Sequence, residues 1–236
     1  MLKWFLLHPG SPRSMDELID LCWPDAVPEK AVQSFHVTMH SLRRMLEPEL
    51  HPHRESTFIR RSGSNFYRLE TDGLWWTDTG EVEDVFDKGR ACDLRQDKRR
   101  ACFYYSRVTA YGIRRFLEGE QACDHWLVPY RKRYEGLHSQ ALVRLIHLHR
   151  SCREWDEAVE YARQLLQLDQ YNQLAAAAVV EGALAAGRCD FARQWLAGFV
   201  ASFERDVGAA PNGELLALRT RMLGDPPPVS PMPERP

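Results

Sequence analysis

Three side chains between residues 33 and 44 have the chemistry needed to read the edges of base pairs. Gln33 offers an amide that can form two hydrogen bonds with adenine, Arg44 offers a guanidinium that can pair with guanine, and the methyl groups of Val37 suit the methyl group of thymine. Such contacts require one helix that presents all three on a side free to enter the major groove. The residue types therefore point to binding of double-stranded DNA.

The element that would present them is a helix predicted from residue 28 to about residue 47, because Pro28 suits the first turn of a helix. With Phe35 set at 0° and about 100° per residue, the apolar side chains lie within about 80° of Phe35. They are Ala31, Val32, Met39, Leu42, Met45 and Leu46. The opposite face carries Lys30, Gln33, Val37, His40 and Arg44. One side can thus be buried while the other stays polar and basic.

Short helices and a hairpin are predicted around this helix. Residues 2–7 indicate the last part of a first helix, and Ser14 with Glu17 has the spacing of a capping box that starts a second helix. Residues 57–61 and 65–69 predict two strands joined by a turn. The order helix, helix, helix, hairpin is that of a winged helix-turn-helix.

Basic residues flank the polar face of the third helix. Arg43 lies nearer its edge, where phosphate contact is expected, and Arg60 and Arg61 of the hairpin could lie against the DNA backbone or the minor groove. A second interpretation is that this order of elements is a common small arrangement. In that case Arg43 and Arg44 occupy the last turns of a helix because the helix dipole favours cations there.

No metal site, cofactor or catalytic activity is predicted. His36 and His40 lie four residues apart, but the glutamate of a zinc hydrolase is absent between them. The six cysteines are at least ten residues apart, without the paired spacing of a structural zinc site. No phosphate-binding glycine loop and no activated serine in a tight glycine turn occurs in the sequence. We therefore expect a protein that is not an enzyme.

The second half of the chain repeats itself at a spacing of 34 residues, the period of a tetratricopeptide repeat. The recurring positions are Asp156, Ala158, Leu165 and Leu166, which return as Asp190, Ala192, Phe199 and Val200. Helices are predicted near residues 137–150, 155–168, 174–186 and 190–203, with a break near Gly136. Aromatic side chains expected in the core between these helices are Trp155, Tyr161, Phe191, Trp195 and Phe199.

Charge and hydropathy indicate which partners and which cellular compartment the sequence favours. The chain has 31 basic and 33 acidic residues, so its net charge favours no particular partner. Residues 88–115 hold nine basic and two acidic residues, which fits either a patch that faces phosphate or a solvated helix face paired with the acidic residues 71–87. No apolar run is long enough to span a bilayer, so we expect a cytoplasmic protein without a membrane partner.

Two sets of residues, in this order along the chain, carry a resemblance to a known family. The first set is Pro9, Gly10, Leu18, Trp23, Pro24, Asp25, Ala31, Leu42, Arg43, Arg44, Leu46, Tyr67, Arg68 and Leu69. The second set is Phe86, Tyr111, Gly112, Phe116, Leu117, Trp126 and Arg131. The first resembles the winged helix of bacterial transcriptional activators of the SARP type, and the second resembles the bacterial transcriptional activator domain that follows it in that family. The resemblance covers about residues 2–218.

The resemblance implies a mainly α protein with an N-terminal winged helix-turn-helix over residues 1–72 and an α-helical tetratricopeptide-like repeat domain over residues 73–224. The proline content of residues 225–236 separately predicts a disordered tail. The family's winged helix opens with a small antiparallel sheet, and this chain starts inside the first helix. Either the start is truncated, or this winged helix lacks the sheet.

The function that the resemblance implies is promoter binding by a transcriptional regulator, most simply an activator. Gln33, His36, Val37, His40, Arg43 and Arg44 take the recognition-helix positions, and Arg60 and Arg61 take the wing. The repeat domain would contact RNA polymerase or a second copy in a homodimer. The alternative is a tetratricopeptide-like scaffold for protein interactions whose winged helix no longer binds DNA, since residues 1–70 hold nine basic and nine acidic residues.

Overall fold

The protein is mainly α-helical, as predicted. A computed structural model describes residues 1–51, 54–71, 73, 75–111, 116–117 and 125–224. The chain divides into two compact units, Met1–Glu81 and Val82–Pro236. The junction predicted at residues 72–73 stays a prediction, and the predicted disorder of residues 225–236 lies outside the described residues.

The first unit contains three helices and three short strands. In chain order these are α1 (Leu2–Leu7), β1 (Arg13–Ser14), α2 (Met15–Cys22), α3 (Pro28–Leu46), β2 (Ile59–Ser62) and β3 (Phe66–Leu69). The predicted capping box is present, because the Ser14 hydroxyl accepts from the Glu17 backbone N–H at 3.2 Å and the Glu17 carboxylate accepts from the Ser14 backbone N–H at 3.1 Å. The three helices and the hairpin predicted from the sequence are therefore confirmed.

Strand β1 was not predicted, and it turns the hairpin into a three-stranded antiparallel sheet. The strand order is β1-β3-β2, with Arg13 opposite Tyr67 and Ser14 opposite Phe66. One further hydrogen bond, from the Met15 backbone N–H to the Asn65 carbonyl at 2.9 Å, holds the start of α2 beside the hairpin turn. The sheet thus joins the beginning of α2 to the hairpin.

The core of the first unit forms where α3 meets the sheet. Phe35 is fully buried and packs edge to face against Tyr67, with ring centroids 5.2 Å apart. Ile59 and Leu69, which are opposite each other on β2 and β3, are also fully buried. Packing of α3 on these side chains fixes which face of the helix remains exposed.

Two residues predicted for the buried side of α3 are not buried. Val32 is 36% exposed and Met45 is 59% exposed. They lie at about 60° and 80° from Phe35, at the two margins of the apolar face. The elements packed on α3 cover its centre line and leave these margins in solvent, so the expectation for both residues was wrong.

The second unit consists of helices that stack one against the next. They are α4 (Asp78–Leu94), which begins at the end of the first unit, α5 (Lys98–Ala110), α6 (Val128–Cys152), α7 (Trp155–Leu168), α8 (Gln173–Ala185), α9 (Cys189–Val207) and α10 (Gly213–Gly224), with a 3-10 turn at His125–Leu127 before α6. Within the described ranges, no helix is long and apolar enough to cross a bilayer.

Two helices of this stack contribute to two cores each. Helix α6 packs with α4 and α5 through Leu145 and with α7 and α8 through Leu142 and Ile146. Helix α8 packs with α7 through Ala175 and Ala178, and its Ala176 and Val180 belong to a core shared with α9 and α10. The equivalent residues Ala158 and Ala192 are both fully buried, which confirms the predicted helical repeat.

The structure corrects two expectations for the second unit. Helix α6 continues through Gly136, where a break was predicted, because a single glycine lowers helix stability without preventing the helix. Phe191, expected in the core, is 46% exposed and lies under the Arg188 guanidinium, 5.5 Å from its ring centroid. It lies about 100° around α9 from Ala192, which is fully buried, so the neighbouring helices cover the side of Ala192 and leave the side of Phe191 in solvent.

Gly182 of α8 lies against Val159 of α7. A Cβ at this position would lie 2.3 Å from Cγ2 of Val159. We expect Gly182→Ala to lower the free energy of unfolding by about 1–3 kcal/mol, because the added methyl group overpacks the contact. A suitable control is Gly198→Ala in α9, where a Cβ meets nothing within 4 Å. That change should instead stabilise the helix by about 0.5–1 kcal/mol. Urea unfolding of both variants measures whether the free energy of unfolding falls for Gly182→Ala and rises for Gly198→Ala. Equal changes in the two variants would contradict a close contact between Gly182 and Val159.

His138 makes the stability of the second unit depend on pH. It is buried in α6, its Nε2 has no hydrogen-bond partner among the described residues, and burial lowers its pKa. Below a pH of about 6.5 this histidine is protonated in the unfolded chain, whereas in the folded chain it stays neutral until the pH reaches its lowered pKa. Its contribution to stability is therefore present above about pH 6.5 and is lost as the pH falls towards the lowered pKa. We expect urea unfolding of His138→Leu to lose less free energy between pH 7 and pH 5.5 than the unchanged chain does; parallel losses would refute this.

Candidate nucleic-acid interface

The outer face of α3 presents every base-reading side chain that the sequence singled out. Lys30, Gln33, His36, Val37, His40 and Arg44 are all exposed. Gln33 and Arg44 are eleven residues apart, which corresponds to about 16 Å along a helix. The outer face, defined by these six residues, is thus long enough to lie along several base pairs. Ser41 is exposed beside them, and sequence reasoning missed it because it lies at the edge of the polar face.

This face is free of negative charge over most of its length. Between Lys30 and Leu46 the helix contains no acidic residue, and Glu29 lies in its first turn. Lys30 and Arg44 form no ion pair within the part of the chain that the structure describes. Their charges are therefore available to an anionic partner without loss of an internal contact. Polar and basic side chains on an accessible helix are the groups that read base edges in the major groove.

Arg43 faces the hairpin and not the outer face. Its guanidinium donates to the Ile59 carbonyl at 3.2 Å and lies 6.0 Å from the centroid of the Tyr67 ring. Its Nε is buried without a hydrogen-bond partner among the described residues. In the free protein Arg43 thus links the last turns of α3 to the sheet, and contact with phosphate by this residue stays a prediction.

Glu47 is a residue that sequence reasoning missed, and it fixes the segment before β2. Its carboxylate accepts hydrogen bonds from the Ser56 hydroxyl, from the Thr57 hydroxyl at 2.6 Å and from the Thr57 backbone N–H at 3.0 Å. Burial opposes the charged carboxylate, but these hydrogen bonds outweigh it and lower the pKa of Glu47. Glu47 and Arg43 together attach the C-terminal end of α3 to the hairpin. No local sequence pattern indicates a contact that spans ten residues.

The hairpin presents two further arginines to solvent. Arg60 and Arg61 are exposed on β2, next to a turn in which Gly63 adopts a φ of +62°. The Arg61 guanidinium donates to the Ser64 carbonyl, so it is held at the turn, whereas Arg60 makes only a 3.4 Å contact with the Thr57 carbonyl. Arg68, opposite Arg60, is paired with Glu70. Arg60 is therefore the less constrained cation of the hairpin.

No group of three or more metal-ligating side chains is found within the described ranges, and His36 and His40 belong to the exposed face. The site therefore consists of one exposed helix face and one exposed hairpin strand. Its chemistry is hydrogen bonding and positive charge.

The fold is similar to that of Mycobacterium tuberculosis EmbR, which was solved in complex with a low-affinity phosphopeptide. The similarity has a TM-score of 0.72 at 17% sequence identity and covers 94% of this chain. The chain spans 57% of the length of the EmbR chain. At this identity the likeness shows the fold alone, and it agrees with the mainly α-helical fold predicted from the sequence.

A second similarity, to the C-terminal TPR-containing domain of a Plasmodium falciparum FK506-binding protein, has a TM-score of 0.45 at 17% identity and covers 64% of this chain and 93% of that domain. Its score is too low to bear on the fold. Neither a protein-family model nor a curated protein sequence matches the chain.

Proposed function

We propose that this protein is a DNA-binding transcriptional regulator whose first unit is a winged helix. The observation that carries the proposal is the outer face of α3, which is exposed, contains no acidic side chain and includes a glutamine and an arginine suited to base pairs. Its opposite face is fixed against the sheet through Phe35 and Tyr67. Helix α3 can therefore enter a major groove without rearrangement of the core.

The proposed roles follow from the position of each side chain. Gln33 and Arg44 form bidentate contacts with base edges, each contributing about 1–3 kcal/mol of discrimination, and Val37 contacts a thymine methyl group. His36 and His40 contribute polar contacts from the same face. Lys30, Arg60 and Arg61 bind phosphates and fix the orientation of α3 on the duplex. Arg43 is a positioning residue in this proposal, because its guanidinium is already bound to the hairpin.

The second unit serves partner binding in this proposal. Stacked helical repeats present continuous surfaces to other proteins and seldom carry catalytic sites. We propose that it contacts RNA polymerase or a second copy of the chain, so that DNA binding by the first unit leads to activation of transcription. A homodimer would place two copies of α3 on successive major grooves, about 34–36 Å apart.

The experiment that tests the function is selection of duplexes from a pool with a randomised central segment, followed by affinity measurements over a range of salt concentrations. We expect the selected sequence to bind at least a thousandfold more tightly than unrelated DNA at physiological salt. Affinity should fall as salt is added. A plot of the logarithm of the association constant against the logarithm of the salt concentration should have a slope of about −0.9 for each phosphate contact. Enrichment of no sequence, together with weak binding insensitive to salt, would favour the scaffold without DNA-binding activity.

A further inference from the structure

The second unit contains a groove that lies outside the proposed DNA-binding site. It is formed by the turn between α7 and α8 and by one side of α9, and its volume is about 570 Å³. Its lining includes Gln170, Tyr171, Gln194, Trp195, Phe199 and Asp206. We call it the aromatic groove.

Aromatic rings form a ladder in and beside this groove. Trp195 and Phe199 are nearly parallel, with centroids 5.7 Å apart, and Phe203 continues the series at 6.1 Å from Phe199. Tyr171 meets Phe203 edge to face, and its hydroxyl donates to Asp206. Trp195 and Phe199 are only half-buried, so part of each ring faces the groove. The ladder presents flat apolar surface that is fixed by packing on the core of α8 to α10.

The aromatic groove also holds hydrogen-bond donors that are not used within the described part of the chain. The indole N–H of Trp195 and the side-chain amides of Gln170 and Gln194 form no hydrogen bond there. Aromatic rings combined with unused donors suit a ligand that is apolar and rich in carbonyl acceptors. A proline-rich strand has this chemistry, because proline lacks a backbone N–H and keeps its carbonyl, and aromatic-lined grooves are the usual receptors of such strands.

We propose that the proline-rich segment 225–236 binds in the aromatic groove of its own chain as an extended polyproline-type strand. The segment follows directly after α10 and reads DPPPVSPMPERP. Its prolines restrict φ to about −65°, so little conformational entropy is lost when the segment binds. Val229 and Met232 add apolar side chains that can pack on the rings.

The length of the segment is sufficient for this contact. Helix α10 ends beside the start of α9, where the Arg193 guanidinium donates to the Met222 carbonyl at 3.5 Å. Asp206, the far end of the groove, lies about 20 Å further along α9 at 1.5 Å per residue. The groove is on the opposite side of α9 from Arg193, and half the circumference of a helix adds about 15 Å. Twelve residues of polyproline helix span about 37 Å, which exceeds the combined path of about 25 Å.

The test measures binding of a labelled peptide with the sequence of residues 224–236 to the full chain by fluorescence anisotropy. Four full-length proteins are compared: the unchanged chain, a variant with Pro226, Pro227, Pro228, Pro231 and Pro233 replaced by serine, and the same serine variant carrying either Gly198→Arg or Gly136→Arg. A Cβ at Gly198 meets nothing within 4 Å, so the arginine fills the groove without disturbing the core. The matched control is Gly136→Arg, whose Cβ would lie 3.8 Å from the Gln140 amide on α6.

We expect the peptide to bind the serine variant at least tenfold more tightly than the unchanged chain, in which the attached segment occupies the groove. Gly198→Arg should abolish this binding, and Gly136→Arg should leave it unchanged. The Trp195 indole signal in ¹⁵N NMR should shift on proline replacement at all protein concentrations, while the Trp155 signal stays in place.

Three results would overturn the proposal. Equal binding to the unchanged chain and to the serine variant would mean that the groove is not occupied by its own segment. Absence of binding to either would mean that the segment is not the ligand. A Trp195 shift that disappears on dilution would assign the groove to the segment of a second copy.

Discussion

Replacement of Arg44 by glutamate will lower the affinity for the selected DNA sequence by about 100-fold or more, equivalent to about 2.7 kcal/mol. Arg44 is exposed on the outer face of α3 and forms no ion pair among the described residues. The substitution removes a bidentate contact with guanine and places a carboxylate next to phosphates. The melting temperature of the first unit should fall by only about 4–8 °C, because Arg44 is exposed and a carboxylate in the last turn of α3 opposes the helix dipole by about 1 kcal/mol.

The matched control is Arg163→Glu, which makes the same change of charge at an exposed position of α7. It tests whether net charge alone accounts for the lost affinity. If Arg163→Glu weakens binding as much as Arg44→Glu, α3 is not the reading helix. Arg43 is unsuitable for this comparison, because its guanidinium also holds the hairpin through the Ile59 carbonyl.

Replacement of Phe35 by alanine will destabilise the first unit by about 3–5 kcal/mol, since it removes a fully buried aromatic side chain. It also removes the edge-to-face contact with Tyr67 that joins α3 to the sheet. For a unit of this size, the loss is a large part of the total free energy of unfolding. DNA binding should be lost together with the fold.

Hydrogen exchange resolved by peptide segment is the appropriate measurement for Phe35→Ala. Exchange should accelerate throughout residues 1–71 and remain unchanged in α7 to α9. Val37→Ala, on the same helix but 61% exposed, serves as the control and should leave exchange unaltered. Similar exchange in the two variants would show that Phe35 does not hold the first unit together.

Several elements could be predicted because a local pattern specifies them. The apolar residues of α3 recur with helical period around Phe35, and α7 occupies the predicted residues 155–168. Strand β1 could not be predicted in this way, since two residues are too few to show an alternating pattern. It exists because Tyr67 and Phe66 of β3 offer it a hydrogen-bonding edge.

In the candidate site, too, the features set by a local pattern could be predicted, and those set by tertiary contacts could not. The exposed face of α3 followed from stepping 100° per residue, since the helix has one continuous apolar side. The same step separates Arg43 from Arg44 by 100°, but the hydrogen bond of Arg43 to the Ile59 carbonyl depends on where the hairpin lies, and no local pattern specifies that. Trp195 and Phe199, expected in the core, are half-buried because the turn at Tyr171 leaves a groove beside them.

The two sides of α3 have an evolutionary consequence. Phe35 and Met39 on the inner side are constrained by packing, whereas Gln33, Val37 and Arg44 on the outer side contact nothing that the fold requires. Outer residues can therefore be exchanged at little cost in stability. In the proposed function, duplicated copies of such a gene could diverge through single substitutions in the DNA sequence that α3 binds, while the core residues of the first unit stay the same.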